Sequence, residues 1–245
     1  TVLSRGLGDV YKRQSELNEL AKTTASSVFM VLLAAFKATA YRYTEQRDLI
    51  VGSVVAGRNR QEYEDQLGFF VNTVVHRTQV APQQSFEALL RSVRENVLQI
   101  AEYQDYPFDL LARDFEEGIQ GTTPFFDVMF IHQNEREIQD DDLQLTDIVV
   151  EGVTEELQES KFDASFVTRE TPEGLRVFVE YDKQCYDAGF IEQFVKHYEK
   201  VLQQVVSNVS IAVQDLQLLT PDEKALLNSF NETTQEKIYT SIHQR

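Results

Sequence analysis

Apolar positions along this chain fall into blocks that switch between the helical and the strand period. Residues 15–21 form a short helical stretch that Ser15 can cap. Ser26 or Ser27 can then cap a longer one carrying Phe29, Leu32, Leu33, Phe36 and Ala40. The longer segment is apolar almost all round, which predicts burial on most sides. Residues 48–55 (DLIVGSVV) are a short, nearly continuous β-branched run, the pattern of a strand covered on both faces, and Gly57 stops it. Residues 67–77 (LGFFVNTVVHR) are a glycine followed by two aromatics and a β-branched run, and read as a strand entered through a Gly68 hinge, running from 71 to 80. Asn72 is the informative residue in that run: buried without a partner it would cost roughly 1–3 kcal/mol, so it has a buried partner or faces a cleft.

Pro82 and Ser85 open a helix whose apolar residues Phe86, Leu89, Leu90, Val93, Val97 and Ile100 share one face. Burying each is worth about 1.5–3 kcal/mol before chain entropy is subtracted, so this face must pack. Pro107 stands at a first helical position, with Phe108, Leu110 and Leu111 behind it. Residues 124–131 (PFFDVMFI) form the next strand and lead into His132, Gln133 and Asn134. Residues 161–168 and 175–181 alternate cleanly. Phe162, Ala164 and Phe166 share a face of the first, and Leu175, Val177, Val179 and Tyr181 a face of the second, with Pro172-Glu173-Gly174 as the turn of a hairpin wet on one side. Asp187 caps a long helix with Phe190, Ile191, Phe194, Val195, Tyr198, Val201, Leu202, Val205 and Val206 inward and His197 on the solvated face. Thr220-Pro221-Asp222-Glu223 is a capping box that starts a helix through Phe230. Residues 231–245 show no packing face. A buried helix beside a buried strand predicts α/β layering.

Residues 1–14 (TVLSRGLGDVYKRQ) show neither period, and Gly6-Leu7-Gly8 lacks the third glycine and the preceding strand of a dinucleotide loop. They resemble translated sequencing-adapter sequence and are set aside from the fold.

With 245 residues, 42% of them apolar, the chain can build a full core. A net charge of −17 argues against binding a phosphate backbone. The longest apolar run, residues 28–36, is far short of the roughly 20 needed to span a bilayer. No secretion signal opens the chain, and a single cysteine, Cys185, fits the reducing cytoplasm, which is the expected location.

Self-contained chemistry is scarce. No nucleophile elbow is present, and Cys185 next to Tyr186 reads as inert filler. Asp140, Asp141 and Asp142 lack the spacing of a calcium loop and read as a solvated turn. His76, His132, His197 and His243 lack zinc-ligand spacing, so no metal site is expected. His76 and His132, each at a strand end, could serve acid/base work, although a histidine satisfied by backbone or water is the commoner outcome.

Five ordered stretches resemble the condensation domains of nonribosomal peptide synthetases. Gly68 to Thr73 is similar to the family's G-F-F-V-N-T motif. Tyr103-Gln104-Asp105-Tyr106-Pro107-Phe108-Asp109 is similar to H-Q-D-x-P-F-[ED], with Tyr103 where His or Asn is usual. Residues 48–60 match D-x-x-V-G-x-P-V-A-G-R, with Val54 for proline. Residues 124–130 with Gln133-Asn134 match N-P-L-F-x-V-M-F...Q-N, with Thr122-Thr123 for Arg-Asn, and Lys161-Phe162-Asp163 matches the K-F-D strand. Leu218-Leu219-Thr220 resembles the linker toward an adenylation domain. The family's H-H-x-x-x-D-G motif, which carries its central histidine, occurs nowhere in the sequence.

The resemblance implies a chloramphenicol-acetyltransferase-like α/β lobe, a mixed sheet flanked by helices. Residues 15–217 would be the carboxy-terminal lobe of such a domain and 218–245 the start of the linker. The intact domain would join a donor thioester to an acceptor amine, both on phosphopantetheine arms of carrier proteins, with no cofactor bound directly. This lobe would form one wall of the tunnel and be inactive alone. Its partners would be the missing amino-terminal lobe, peptidyl carrier domains and an adenylation domain. The resemblance makes Asn72, Thr73, Gln133 and Asn134 the candidates for lining the tunnel. Gly68, Phe69, Phe70, Val71, Gln104, Asp105, Pro107, Phe108, Lys161 and Asp163 carry the motifs structurally. The competing readings are a carrier-docking module without catalysis and an epimerisation-type relative.

Overall fold

Ser27 holds extended backbone while its hydroxyl accepts from the amide of Met30 at 3.2 Å, and this cap starts the helix around which the rest packs. The computed structural model describes residues 2–6, 10–115, 125–134, 160–171 and 174–231. In chain order the elements are β1 (Val2–Gly6), α1 (Val10–Thr23), α2 (Val28–Thr44), β2 (Asp48–Val55), β3 (Asn72–Gln79), α3 (Phe86–Tyr103), α4 (Phe108–Asp114), β4 (Val128–Asn134), β5 (Ala164–Thr171), β6 (Gly174–Tyr181), α5 (Ala188–Ser207) and α6 (Pro221–Asn231). The described strands form one mixed sheet in the order β1-β6-β5-β4-β2-β3. β4 runs parallel to both β2 and β5, and the remaining pairs are antiparallel. This is the α/β layering that the pattern predicts.

α2 lies against α3, α5 and the sheet, and residues Val31 to Ala35 are fully buried. Phe36 sits among Phe130, Phe166, Phe194 and Tyr198, with ring centroids 4.9 to 6.3 Å apart. α3 inserts Phe86, Leu89, Leu90 and Val93, with Val97 partly buried against the core. α5, capped by Asp187 as expected, buries Ile191, Phe194, Val195, Tyr198, Val201, Leu202 and Val205, and the Tyr198 hydroxyl donates to Leu32 O at 3.1 Å. Leu175, Val177, Val179 and Tyr181 of β6 all point inward as their alternation requires. In mid-β2, Gly52 is packed so closely that a Cβ would lie 2.2 Å from the Phe126 ring and 2.6 Å from Met129 Sδ. β4 and β2 can therefore approach only without a side chain there.

A lysine occupies the centre of the apolar helix. Lys37 is fully buried, and its ammonium donates to His76 O at 2.8 Å and to Thr78 Oγ1 at 2.7 Å on β3. Burial pulls its pKa down to about 7, partly offset by attraction from Asp48.

Three expectations are corrected. The backbone of Val2–Gly6 pairs along β6 as an edge strand, and the first helix begins at Val10 rather than at residue 15. An edge strand is held by main-chain bonds, so it requires no apolar period. β4 starts at Val128 rather than at residue 124: Phe125 has φ 79°, a left-handed conformation that ends extended backbone before it. His197, expected to be solvated, is only 4% exposed. The hairpin of β5 and β6 is as expected, closing at the Thr171–Gly174 pair, while residues 172–173 lie outside the described residues. So do Thr122, Thr123, Pro124, the Asp140 to Asp142 run and residues 232–245.

Candidate functional site

Most of the residues singled out in the sequence gather where β2 ends and β3 begins, while Lys161 and Asp163 lie before β5 at the other end of the sheet. Gly57, at φ +66°, lies so close beneath the carbonyl of Phe70 that a Cβ would be 1.9 Å from its oxygen. Phe70 stacks on Tyr63 with centroids 5.4 Å apart, and the Arg58 guanidinium sits 4.4 Å over the Phe70 ring while donating to Tyr63 O. The Gly-Arg of one motif thus grips a Phe of the next. On either side of Phe70 the chain turns outward, leaving Leu67, Phe69 and Val71 exposed.

Asn72 has partners. Its Nδ2 donates to Gln104 O and Tyr106 O, both at 2.8 Å, and its Oδ1 accepts from Phe108 N at 3.1 Å. One amide therefore satisfies carbonyls past the end of α3 and one of the free amides that begin α4, where Pro107 is the N-cap residue and offers no side-chain cap. Both donor hydrogens are used. Asp105 accepts from Asn59 Nδ2 at 2.7 Å, tying the same segment to the β2–β3 loop. Phe108 packs on Phe126 at 5.8 Å, and the Tyr106 hydroxyl donates to Asp114 at 2.7 Å.

Thr73 is half-buried opposite Val54. Gln133 is exposed at the carboxyl end of β4, its Oε1 accepting from Arg169 Nε at 3.1 Å and Nη2 at 2.9 Å. Asn134 closes β4 opposite Glu170, and its side chain lies outside the described residues. Since β4 parallels β2, and β3 starts beside the end of β2, Asn72, Thr73, Gln133 and Asn134 share one end of the sheet. Lys161 is exposed. Burial, together with Asp127 and Asp182, raises the Asp163 carboxyl above the ordinary range, and the Asp163 carbonyl accepts from Asp182 N at 3.0 Å.

Neither strand histidine stands free for catalysis. His76 is buried with Nδ1 donating to Asn96 Oδ1 at 3.2 Å, and burial together with the Lys37 charge pushes its pKa down to about 4. His132 Nδ1 lies 3.0 Å from Thr168 Oγ1, whose proton goes to Ile131 O at 3.1 Å, so the imidazole donates there. Its Nε2 lies 3.4 Å from Glu170. The exposed thiol of Cys185 is held above its ordinary range by desolvation and by Asp163 and Asp182. Among the described residues no three His, Cys, Asp or Glu side chains converge as a metal site, and no single helix is long and apolar enough to cross a membrane. A cavity of about 400 Å³ opens at the opposite end of the sheet, lined by Phe36, Tyr43, Phe126, Asp127, Asp163 and Phe194 among others. It includes none of the motif amides and no histidine.

The family model for the condensation domain matches residues 11–228. This chain belongs to the condensation-domain family. It is 38% identical over 218 residues to a linear gramicidin synthase of Brevibacillus parabrevis, covering 86% of this chain and 4% of that one. It is 33% identical over 221 residues to tyrocidine synthase 3 of the same organism, covering 89% and 3%. Its relatives are thus peptide-antibiotic synthetases, of which the chain spans a few per cent. Among solved structures, the condensation-family fold matches a four-domain nonribosomal peptide synthetase bound to AMP and glycine at TM-score 0.81 and 18% identity, over 91% of this chain and 18% of that one. The X-domain from teicoplanin biosynthesis matches at TM-score 0.78 and 18% identity, over 89% of this chain and 50% of that one. The first condensation domain of the CDA synthetase matches at 0.65 and 22%, over 90% and 48%. These matches place the fold in the chloramphenicol-acetyltransferase-like class expected from the motifs.

The buried Lys37 and His197 escaped the sequence reading. Lys37 had a signal, a cation in the middle of a helix that is apolar almost all round. The surroundings of His197 did not, because its partners come from α2 and α6.

Proposed function

We propose that this chain is the carboxy-terminal lobe of a nonribosomal peptide synthetase condensation domain and that it supplies one wall of the tunnel in which an amide forms. The observation that carries this reading is the bare apolar rim beside the motif residues. Leu67 and Phe69 are 104% and 92% exposed, and so are Val71, next to Asn72, and Tyr103 and Tyr106, in the segment that Asn72 bonds. A rim of that kind marks an interaction surface, and the chain spans about half of the solved condensation and X-domain chains it matches.

In the complete domain, the acceptor amine attacks the donor thioester carbonyl, the C–N bond forms, the C–S bond breaks and the carrier's thiol leaves. Both reactants arrive on phosphopantetheine arms, so holding the two ends close and aligned supplies most of what the step requires. On this lobe Thr73, Gln133 and Asn134 face that task. Asn72, with both donors used, shapes the wall by bracing α4. The acid/base histidine belongs to the amino-terminal lobe. Residues 218–245 lead toward an adenylation domain, carrier domains dock at the tunnel mouths, and the whole works in the cytoplasm. Residues 1–14 are read as adapter-derived sequence, of which the backbone of Val2–Gly6 pairs with the edge of β6.

Offered pantetheine-linked donor and acceptor, this chain alone yields no amide above background when products are followed by mass spectrometry. Amide formed in proportion to the chain's concentration overturns the reading.

A further inference from the structure

α6 contributes no buried residue, and its apolar side chains Leu226, Leu227 and Phe230 are 53%, 45% and 65% exposed. It has no greasy anchor. What reaches from it into the lobe is one carboxylate. Glu223 accepts from His197 Nε2 at 3.0 Å and from Gln193 Nε2 at 2.8 Å, both on α5, and from the Thr220 amide at 2.6 Å and hydroxyl at 2.8 Å within the capping box. Behind it His197 is buried, with its Nδ1 2.6 Å from the hydroxyl of Tyr43 on α2. Nε2–H donates to the carboxylate whether the imidazole is neutral or charged, and the Tyr43 hydroxyl can turn to match Nδ1 in either state. Just before the helix, Lys200 Nζ donates to Leu219 O, and Gln204 exchanges bonds with Gln217.

We propose that Tyr43, His197 and Glu223 form a proton-sensitive tether that holds α6 on the lobe, and that protonating Glu223 releases it. Isolated helices shorter than about 12–15 residues are marginal in water, so α6, at 11 residues, unwinds when it leaves the surface. The charged groups facing Glu223 all bear on the attachment. His197 and Lys200 come from α5, Lys224 from α6 itself, and the Tyr43 phenol from α2. Burial alone would raise the Glu223 carboxyl, but the bonds from Thr220, His197 and Gln193 overcome it and bring the pKa down to about 2. A carboxyl lowered in the docked state is charged more readily there than in the released one, so docking is strongest above the free-glutamate value of 4.5 and weakens as pH falls from there toward 2. The device fixes where the chain leaves the lobe, and it stands whether or not a second lobe exists.

Hydrogen exchange on the full 245-residue chain tests it. Gln at this position still completes a capping box, so Glu223→Gln removes the charge of the tether while sparing the cap. We expect amides of α6 to exchange at least about tenfold faster in Glu223→Gln than in wild type, from the loss of charge-assisted bonds, with the buried middle of α5 unchanged. Wild-type protection of α6, corrected for intrinsic rates, should fall as pH drops below 4.5, and the variant's should not. Equal protection in both proteins, a fall of the same size with pH in both, or loss of protection in α5 together with α6 overturns the proposal.

Discussion

The stability of this protein rises with pH between about 7.5 and 9.5 by roughly 2–3 kcal/mol, and Lys37→Met abolishes the rise. Lys37 has a folded pKa of about 7 against an ordinary 10.5. Across that window the unfolded chain therefore binds a proton that the folded chain does not, and linkage gives a stability that increases with pH by up to about 1.4 kcal/mol per unit. Above pH 10 the sign turns. Burial and Glu223 raise the Tyr43 phenol to about 12, so the folded state then holds the extra proton. Below pH 6.5 His76 continues the trend: its folded value of about 4 means stability falls as pH drops from 6.5 toward 4. Both groups belong to one buried contact, since the Lys37 ammonium rests on the carbonyl of His76 and its charge helps to keep that imidazole neutral. Urea midpoints at half-unit pH steps check this. A Lys37→Met slope equal to that of wild type between pH 7.5 and 9.5 refutes it.

The second large effect is at Asn72. Asn72→Ala removes three hydrogen bonds that connect β3 to the end of α3 and the start of α4. At about 0.5–1.5 kcal/mol each, plus the carbonyls left unpaired, the loss is about 2–4 kcal/mol. Asn72→Asp is the sharper probe. It keeps an acceptor for Phe108 N but turns a carboxylate oxygen toward the carbonyls of Gln104 and Tyr106, so it destabilises at neutral pH at least as much as alanine does. It recovers part of the loss once acid returns a proton to that oxygen. Denaturation of both variants at pH 7 and pH 4 measures this. An Asn72→Asp protein as stable as wild type at pH 7 would mean that the Nδ2 donors brace nothing and that the amide faces the cleft.

The amphipathic faces of α3, α5 and β6 were legible because one period buries one face, and most of the residues it selects are found inside; at the ends of the helices the face runs out, so Phe190, expected inward, is exposed, and Val97, Ile100 and Val206 are only partly buried. The Ser27, Ser85 and Asp187 caps were legible for an equally local reason, a side chain bonding its own backbone three residues on. Asn72 could be recognised as a residue needing a partner, yet the partner lies 32 to 36 residues away, and no local pattern names it. The same holds for His197, which a helical wheel puts on the outer face: its neighbours, Tyr43 of α2 and Glu223 of α6, come from distant parts of the chain and bury it. β1 was missed because main-chain pairing leaves no apolar signature, and the true start of β4 because the left-handed turn at Phe125 is a non-glycine exception. Motif resemblance supplied what periodicity could not, namely that the residues near Asn72 and those near Gln104 belong together. The bonds between them give the physical reason.

As one wall of the proposed two-lobe domain, this chain would meet its counterpart along the exposed residues Leu67, Phe69 and Tyr103. The most direct measurement mixes the chain with a separately produced amino-terminal condensation lobe bearing the H-H-x-x-x-D-G motif. It then follows complex formation by sedimentation and amide formation from pantetheine-linked substrates. The expected result is a one-to-one complex that makes amide, with both lost when Leu67 and Phe69 are changed to Asp. Amide produced by the chain alone, or a complex indifferent to those two substitutions, would contradict it.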